Sequence, residues 1–417
     1  MRFSREEIYI FGIFIVVLST FYLSQSFFKF SKKQAKEDLS FLLKKIEENH
    51  MSSVRSLPTD IQKEYNKEIS KLKRCQSLIE LWAAASRISA CLKDGHTMVE
   101  NPKNNEYEFA AEYLVENESI FIRLKGQKYK VTKINNVSIK TIYTTAKNLI
   151  SYENIYGLNS SLASYLRSPN YCDLFGIPSD KKQKIEYLED GKLKNYISFL
   201  KPIFSNLKSR AVSYKIDSKS RFAILTLNSC ENNEIYKQTL KEFFKKVNFY
   251  KIRCIAVNLM ENRGGESSVA DEFIKYLSCE NYRNYTCLFR KNNKLYYYNN
   301  NITKNDKQLK YIYNGKIYVL ISAKTFSSAI MFSVLLKDNN LAEIIGEPNS
   351  NNPSAYGDVI EFKLPNSKLI LRTTFKKFIR PNKDNKNDII ADYIVSASNV
   401  LKTFHKLALS NNCKDEK

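Results

Sequence analysis

The sequence has eight cysteines but no Cys-x-x-Cys pair. The absence of that spacing argues against a zinc ribbon or a thioredoxin-like redox site. Zinc-finger spacing and an arginine-rich arm are also missing, which argues against the common nucleic-acid-binding modules. There is no internal repeat and no low-complexity segment. Cys75 and Cys91 could bridge two helices, and Cys279 and Cys287 could close a short loop, but most of the cysteines are expected to be free buried thiols.

The composition is that of a globular protein. The chain has 417 residues, 43% of them hydrophobic, which is enough for two or three domains. The formal charge of +23 could attract an anionic partner such as nucleic acid, lipid headgroups or wall polymer. The lysines are spread along the whole chain, and Asn, Ile, Tyr and Phe are also abundant. We therefore interpret the charge as compositional bias and expect no nucleic-acid partner.

No charged residue occurs from Ile8 to Phe28. This stretch is about long enough for a transmembrane helix, which needs roughly 20 residues. A secretory signal peptide would have a shorter apolar region and an Ala-x-Ala-like cleavage site, which is not found here. We expect residues 1–28 to be an uncleaved, single-pass membrane anchor. By the positive-inside rule, the lysines that follow this stretch would place its C-terminal side in the cytoplasm. The rule discriminates poorly in so basic a chain. We expect the folded body to be extracytoplasmic, anchored at the cell membrane.

The rest of the chain divides into three regions. Residues 29–100 have apolar residues at helical spacing and predict a helical subdomain. Residues 101–215 predict a small mixed segment of strands and helices joined by Asn-rich turns. In residues 216–410 strands alternate with helices, and a hairpin follows at 358–378. This alternation is typical of a layered α/β core.

Two of the candidate functional loops contain glycine. Asp-Gly is a turn dipeptide, so the sequence Asp94-Gly95-His96-Thr97 presents an imidazole from a turn. A second loop follows a buried strand and contains Gly264 and Gly265, where the missing side chains would let backbone N–H groups approach a ligand. Taken alone, His96 could be a histidine that is hydrogen-bonded within its own turn. The glycine pair could likewise belong to an ordinary tight turn between a strand and a helix.

The third loop contains hydroxyl groups. Thr325, Ser327 and Ser328 open an apolar helix after a predicted strand. A serine at a helix N-terminus is usually an N-cap. It is also where the helix dipole and free N–H groups stabilise developing negative charge.

The three loops, in this order, resemble the S41 peptidases, the C-terminal processing or tail-specific protease family. "LKDGHT" is similar to the histidine turn of the family, "VNLMENRGGESSVADEFIKYL" to its strand–Gly-Gly–helix segment, and "TFSSA" to its nucleophile segment. "PSAYGD" and "KKFIRP" are similar to segments of non-processing bacterial members. The resemblance runs from about residue 37 to about residue 395. It implies a ClpP/crotonase-like layered α/β core, a peptide or unfolded-protein substrate, and no metal or other cofactor.

The resemblance implies a role for each residue that matches a motif. Ser327 matches the nucleophile, and its neighbour Ser328 is the weaker candidate. Gly264 and Gly265 match the pair that supplies an oxyanion-hole N–H group. The backbone N–H of Ser328 would be the second donor.

The base is implied to be a histidine. The Ser–Lys branch has its lysine about one strand after the serine, but residues 349–356 contain none. The chain is therefore nearer to the tricorn-like members, and His96 matches their base. Imidazole suits that role because its ordinary pKa of roughly 6.5 is near neutrality. The acid that orients the base is expected near residues 384–388, with Asp384 and Asp388 as candidates.

Several departures from the family pattern support an alternative, an inactive S41-fold protein that binds peptide or a cell-envelope ligand. Ile330 replaces a glutamate, Asn258 replaces an aspartate before the glycine loop, and Asn385 stands where an orienting acid is expected. A surface that binds anionic lipid beside the anchor is a third alternative. Lys324 or Lys383 would be the base if a lysine from elsewhere reached Ser327.

Overall fold

A computed structural model describes residues 29–100, 106–178, 181–203, 210–291, 294–299, 302–305, 309–385 and 387–413. The predicted membrane anchor at 1–28 lies outside these described residues. Among the residues that the structure describes, none of the helices has the length and apolar character needed to cross a membrane.

The described residues form ten α-helices and 22 strands. The helices are α1 Lys32–Asn49, α2 Thr59–Ser70, α3 Leu78–Ala90, α4 Ile139–Leu149, α5 Ile155–Tyr165, α6 Pro169–Leu174, α7 Glu234–Phe249, α8 Val269–Ile274, α9 Ser328–Asp338 and α10 Val400–Cys413. The strands are β1 Lys29–Ser31, β2 Cys75–Ser77, β3 Met98–Glu100, β4 Tyr107–Phe109, β5 Tyr113–Glu116, β6 Ser119–Leu124, β7 Gln127–Ile134, β8 Val137–Ser138, β9 Lys182–Glu189, β10 Lys192–Pro202, β11 Val212–Asp217, β12 Phe222–Leu227, β13 Cys254–Asn258, β14 Asn281–Tyr282, β15 Thr286–Lys291, β16 Lys294–Asn299, β17 Thr303–Lys304, β18 Lys316–Ile321, β19 Glu343–Gly346, β20 Ala355–Lys363, β21 Ile370–Ile379 and β22 Tyr393–Ile394.

The predicted N-terminal helices are α1, α2 and α3. Reciprocal capping boxes start two of them: Ser31 pairs with Gln34 at α1, and Ser77 pairs with Glu80 at α3. Such caps satisfy N–H groups that a helix start leaves without partners. Trp82 of α3 is completely buried, and its indole N–H donates to the Val99 carbonyl at 2.7 Å.

The helices share one hydrophobic core with the sheet that follows them. That sheet has the order β4-β10-β9-β7-β6-β5, with β8 paired to β7, and its pairs are antiparallel. The core extends from Ala35 to Ile185 and also contains Leu364, Leu369 and Leu371 from the later hairpin. The first two predicted regions therefore pack as one body.

The α/β core is built on a six-stranded sheet of order β11-β12-β13-β18-β19-β22. All neighbours are parallel except β11 and β12. Side chains of α7, α8 and α9 pack in one cluster on this sheet, whereas Phe404 of α10 packs with Tyr318 in a separate cluster. Because β13 and β18 are adjacent and parallel, the loops at their carboxyl ends meet at one edge of the sheet. These loops carry the glycine pair and the serine pair.

A five-stranded sheet connects the N-terminal part of the chain to the edge of the six-stranded sheet where the loops after β13 and β18 meet. Its order is β16-β15-β21-β20, and β3 pairs with β21. The predicted hairpin at 358–378 is β20 and β21, in antiparallel register. The pairing of Met98–Glu100 with Ile370–Arg372 brings the histidine turn to the α/β core.

The cysteines follow the sequence expectation of free thiols. Seven of them are free thiols: Cys75, Cys91, Cys172, Cys230, Cys254, Cys279 and Cys287. Cys172, Cys230 and Cys254 are buried.

Candidate active site

Ser327 lies at the turn between β18 and α9. Its backbone has φ 55° and ψ −128°, a conformation that costs a non-glycine residue roughly 1–3 kcal/mol. A strained serine on a sharp strand-to-helix turn is how α/β-hydrolases expose their nucleophile. Buried Thr325 holds the turn, because its hydroxyl donates to the Leu259 carbonyl at 2.8 Å and accepts from the Ser322 N–H at 3.0 Å. The surrounding structure thus fixes Ser327 in a conformation that presents its hydroxyl.

The glycine pair packs directly against this turn. Gly264 and Gly265 have φ of 103° and 134°, in the region that favours glycine. A Cβ on Gly264 would lie 2.7 Å from the Ser327 Cβ, and one on Gly265 would lie 2.3 Å from the Cys230 carbonyl oxygen. Neither position has room for a side chain.

Replacing Gly264 by alanine is expected to displace Ser327 and to lower any activity of the site at least about 100-fold, since a shift of 1 Å costs this much. The matched control is Gly126→Ala, which also has a positive φ, of 83°, but no atom within 4 Å of the added Cβ. Thermal unfolding and peptide cleavage should be measured for both. Equal effects of the two substitutions on activity would contradict the close-packing argument.

Two backbone N–H groups beside Ser327 are available to a ligand. The Gly264 N–H donates to the Asn262 Oδ1 at 2.8 Å, so Gly264 supplies space and not a donor. The N–H groups of Gly265 and Ser328 donate to no acceptor within the described residues. The Ser328 hydroxyl donates to the Gly265 carbonyl at 2.6 Å. It is therefore occupied, which leaves Ser327 as the nucleophile candidate.

Ser327 and His96 line one cleft of about 350 Å³. Its lining consists of His96, Gly265, Glu266, Ser267, Ser268, Ser327, Ser328, Met331, Asn351, Pro353, Ala355, Tyr356, Gly357, Asp358 and Phe378. No lysine is among these described lining residues. The Lys324 amino group instead binds the Glu261 carboxylate at 2.8 Å, and Lys383 is exposed outside the cleft.

The His96 ring makes no hydrogen bond to a described residue. Both ring nitrogens are buried and without a hydrogen-bond partner, so neither forms a hydrogen bond with the Ser327 hydroxyl. The ring lies against Phe326, with 4.6 Å between the centroids. The structure therefore brings base and nucleophile candidates to one cleft without a direct bond between them.

Asp94 fixes the turn that carries His96. Its Oδ1 accepts the His96 backbone N–H at 2.9 Å, and its Oδ2 accepts the hydroxyls of Thr97 and Thr374 at 2.7 and 2.8 Å. Asp94 is completely buried, which by itself would raise the pKa of its carboxyl. The hydrogen bond from His50 and the nearby imidazole of His96 outweigh burial and hold the pKa of this carboxyl well below its usual range.

His50 supports Asp94 from α1. It is completely buried, and its Nδ1 accepts the Ser52 backbone N–H at 3.1 Å. The proton of the neutral ring is therefore on Nε2, which donates to the Asp94 Oδ2 at 3.2 Å. Nothing in the local sequence distinguishes His50 from an ordinary residue at a helix end. The third histidine, His405, is exposed on α10.

Glu153, which no sequence motif marks, is the second acid beside His96. Its side chain is 4% exposed, and its Oε1 is 4.0 Å from the His96 Nδ1. Its Oε2 accepts the Asn352 N–H at 2.7 Å, whereas Oε1 has no partner among the described residues. Burial and the nearby Asp94 charge raise the pKa of Glu153 to about 8.

Asp94, His96 and Glu153 are the one group within the described residues with metal-ligating atoms close enough to hold an ion, all within 4.8 Å of one another. The two oxygens of Asp94, however, already accept four hydrogen bonds. This arrangement favours a hydrogen-bonding role for the cluster over metal binding.

The predicted orienting acids lie elsewhere. Asp384 and Asp388 are exposed, and neither forms an ion pair with His96. The acids within 4.0 Å of His96 are Asp94 and Glu153 instead. Asn385 accepts the Asn387 N–H in a local turn, so the segment around it has the structure of an exposed loop.

Two other departures from the family pattern do not face the cleft. Ile330 is completely buried in the cluster that α9 forms with the sheet. Asn258 ends β13, where its side chain accepts the Met260 N–H at 3.1 Å.

Residues 221–395 match the family model of peptidase family S41. The comparison with curated proteins found no match. Among solved structures, the chain is similar to mature CPAF complexed with lactacystin, with a TM-score of 0.64, 12% identity, and coverage of 91% of this chain and 97% of that one. It is also similar to the photosystem II D1 C-terminal processing protease (TM-score 0.52, 11% identity, 90% and 97% covered). A third similar structure is a peptidase of Parabacteroides merdae (TM-score 0.52, 12% identity, 90% and 97% covered).

Identities this low show the fold, and the fold is the mixed α/β architecture predicted from the sequence. The family match assigns residues 221–395 of the chain to peptidase family S41.

Proposed function

We propose that the chain is a serine endopeptidase, with Ser327 as the nucleophile and His96 as the general base. The observation that carries the proposal is the shared cleft. Ser327 lies there on a strained turn, beside two unused backbone N–H groups, and a histidine lines the same cavity. The nitrogen base among the described lining residues is an imidazole and not an amine.

The proposed reaction is acyl transfer. The Ser327 hydroxyl attacks a peptide carbonyl while the His96 Nε2 takes its proton. The N–H groups of Gly265 and Ser328 stabilise the oxyanion. His96 then gives the proton to the leaving amine, and water attacks the acyl-enzyme with His96 again as base. Ser327 is released with its proton and the product has a carboxylate.

The substrate class proposed is an extended peptide or an unfolded protein. The cleft is lined by Met331, Pro353 and Phe378 together with backbone and hydroxyl groups. Such a lining suits an apolar side chain and the main chain of an extended segment. Folded proteins would have to expose such a segment first.

A direct experiment labels the nucleophile. The full chain should cleave an unfolded protein and should react with a fluorophosphonate probe, and mass spectrometry should locate the adduct at Ser327. Cleavage without labelling of Ser327, or labelling only at another residue, would contradict the assignment. A folded chain that neither cleaves nor reacts would favour the alternative below.

The alternative is an inactive binding protein with the S41 fold. The observation that favours it is the absence of a hydrogen bond from either ring nitrogen of His96. Hydrogen bonds between catalytic groups are often loose without substrate, so this geometry is also compatible with an enzyme. An inactive protein would bind peptides in the cleft without turnover, which calorimetry with unfolded substrate would detect.

The proposed location is the cell membrane, with the folded body extracytoplasmic. The support is the uncharged stretch from Ile8 to Phe28. The full chain is expected to sediment with membranes, to resist alkaline extraction and to be released by detergent. Release by alkali would contradict an anchor that spans the bilayer.

A further inference from the structure

We propose that Glu153 is a positioning residue that sets the tautomer of His96. This inference rests on the proposed function, in which His96 is the base. A histidine base needs its proton on the nitrogen that faces away from the nucleophile. The side chain that holds that proton decides whether the other nitrogen is free to act.

The geometry pairs two unsatisfied atoms. The Glu153 Oε1 and the His96 Nδ1 are both buried, both lack a partner among the described residues, and are 4.0 Å apart. Buried polar atoms of folded proteins are almost always hydrogen-bonded. A movement of about 1 Å would satisfy both atoms with one hydrogen bond.

Glu153 is held from the opposite side. It directly precedes Asn154, the N-cap of α5, and its Oε2 accepts the Asn352 N–H from the loop after β19. Asn154 in turn donates to the Asn349 carbonyl at 3.3 Å and to the Asn352 Oδ1 at 3.0 Å. These bonds fix Oε2 and leave Oε1 on the His96 side.

Asp94 is a less suitable partner for the ring, although its Oδ1 is 3.6 Å from the His96 Nδ1. Its Oδ2 already accepts three hydrogen bonds, from His50, Thr97 and Thr374, and its Oδ1 accepts the backbone N–H of His96. Asp94 therefore anchors the backbone of His96, whereas Glu153 has an oxygen free for the ring.

The protonation state of Glu153 determines what the ring can do. An ionised Glu153 accepts the Nδ1–H and leaves the Nε2 lone pair for the Ser327 proton. A protonated Glu153, with Oε2 already occupied, donates from Oε1 to Nδ1. The ring proton is then on Nε2, and His96 cannot accept the proton of Ser327.

The groups that face Glu153 are Asp94, the His96 ring, the phenol of Tyr356 and the backbone N–H groups of Gly95 and Asn352, with His50 behind Asp94. Burial and the Asp94 charge raise the pKa of Glu153 to about 8. Below that pH Glu153 is protonated, and above it Glu153 is ionised. The active tautomer is therefore expected to increase as the pH rises through about 8.

The test observes the histidines directly. With only three histidines in the chain, ¹⁵N-histidine NMR of the full chain can assign each ring. The Ser327→Ala variant is used to prevent self-cleavage. We expect the His96 ring to become the Nδ1–H tautomer as the pH rises through about 8, and this transition to be absent in Ser327→Ala/Glu153→Gln. Glutamine keeps an acceptor for the Asn352 N–H, so the fold is preserved. The same tautomer and titration in both proteins would overturn the inference.

Kinetics of the chain with Ser327 intact give the second readout. Glu153→Gln is expected to lower kcat about 100-fold with little change in KM, and to remove the rise of kcat with pH. The control is Glu116→Gln. Glu116 is an exposed acid in the antiparallel N-terminal sheet, where it forms an ion pair with Lys128. An unchanged kcat and pH profile in Glu153→Gln would overturn the inference. The NMR result holds whether or not the chain cleaves peptides, so failure of the proposed function is recognised separately.

Discussion

Replacing Ser327 by alanine is expected to abolish cleavage of an unfolded protein, with kcat/KM lowered about 10⁴-fold or more. Alanine removes the oxygen that forms the acyl-enzyme. The turn itself should persist, because Thr325 and the close contact with Gly264 define it and not the serine hydroxyl. Circular dichroism and thermal unfolding should match the unsubstituted chain, while a fluorophosphonate probe should no longer react.

The matched control is the neighbouring serine. Ser328→Ala removes the hydroxyl that donates to the Gly265 carbonyl, at a cost of about 1 kcal/mol in stability. It leaves the backbone N–H that is proposed to bind the oxyanion, so cleavage should remain measurable. Loss of activity in Ser328→Ala with full activity in Ser327→Ala would reverse the assignment of the nucleophile.

Replacing His96 by alanine is expected to lower kcat/KM by a similar factor, about 10⁴-fold. Without the imidazole, no described nitrogen base lines the cleft to take the serine proton. The double variant of Ser327 and His96 should be no worse than either single one, because residues that act as a unit do not have additive effects. Measurements of kcat/KM for the three variants test this.

His405→Ala is the control for loss of a histidine. His405 is exposed on α10 and contacts the rings of Phe222 and Phe404. These rings belong to the hydrophobic cluster that α10 forms with the sheet, which is separate from the cluster under α9. Removal of His405 should leave cleavage within a factor of two. Activity that survives in His96→Ala but not in Ser327→Ala would show that another group is the base, and a lysine would then have to reach the cleft by a rearrangement.

Local sequence patterns were sufficient for much of the fold. The alternation of strands and helices after residue 216 and the hairpin at 358–378 follow from hydrophobic periodicity and turn residues. The meeting of the glycine and serine loops follows once β13 and β18 are taken as parallel neighbours. The approach of His96 to these loops could not be derived locally, because it depends on the pairing of β3 with β21 across most of the chain.

The acid beside His96 could not be predicted from a sequence motif. Asp384 and Asp388 were expected from the position of an acid in similar proteins, but both are exposed. Glu153 has no motif around it and is distant from His96 along the chain. Its role follows from burial in a space enclosed by three separate segments, which only tertiary packing reveals.

The pairing of β3 with β21 also has a consequence for the timing of biosynthesis. The His96 turn is made early, but it is completed by Thr374, whose hydroxyl and backbone N–H bond Asp94 and Thr97. α1 is likewise tied to the later hairpin, because Asp38 accepts the N–H groups of Asn366 and Ser367. A ribosome must therefore synthesise nearly the whole chain before the cleft can assemble, so any activity of the cleft can begin only when synthesis is almost complete.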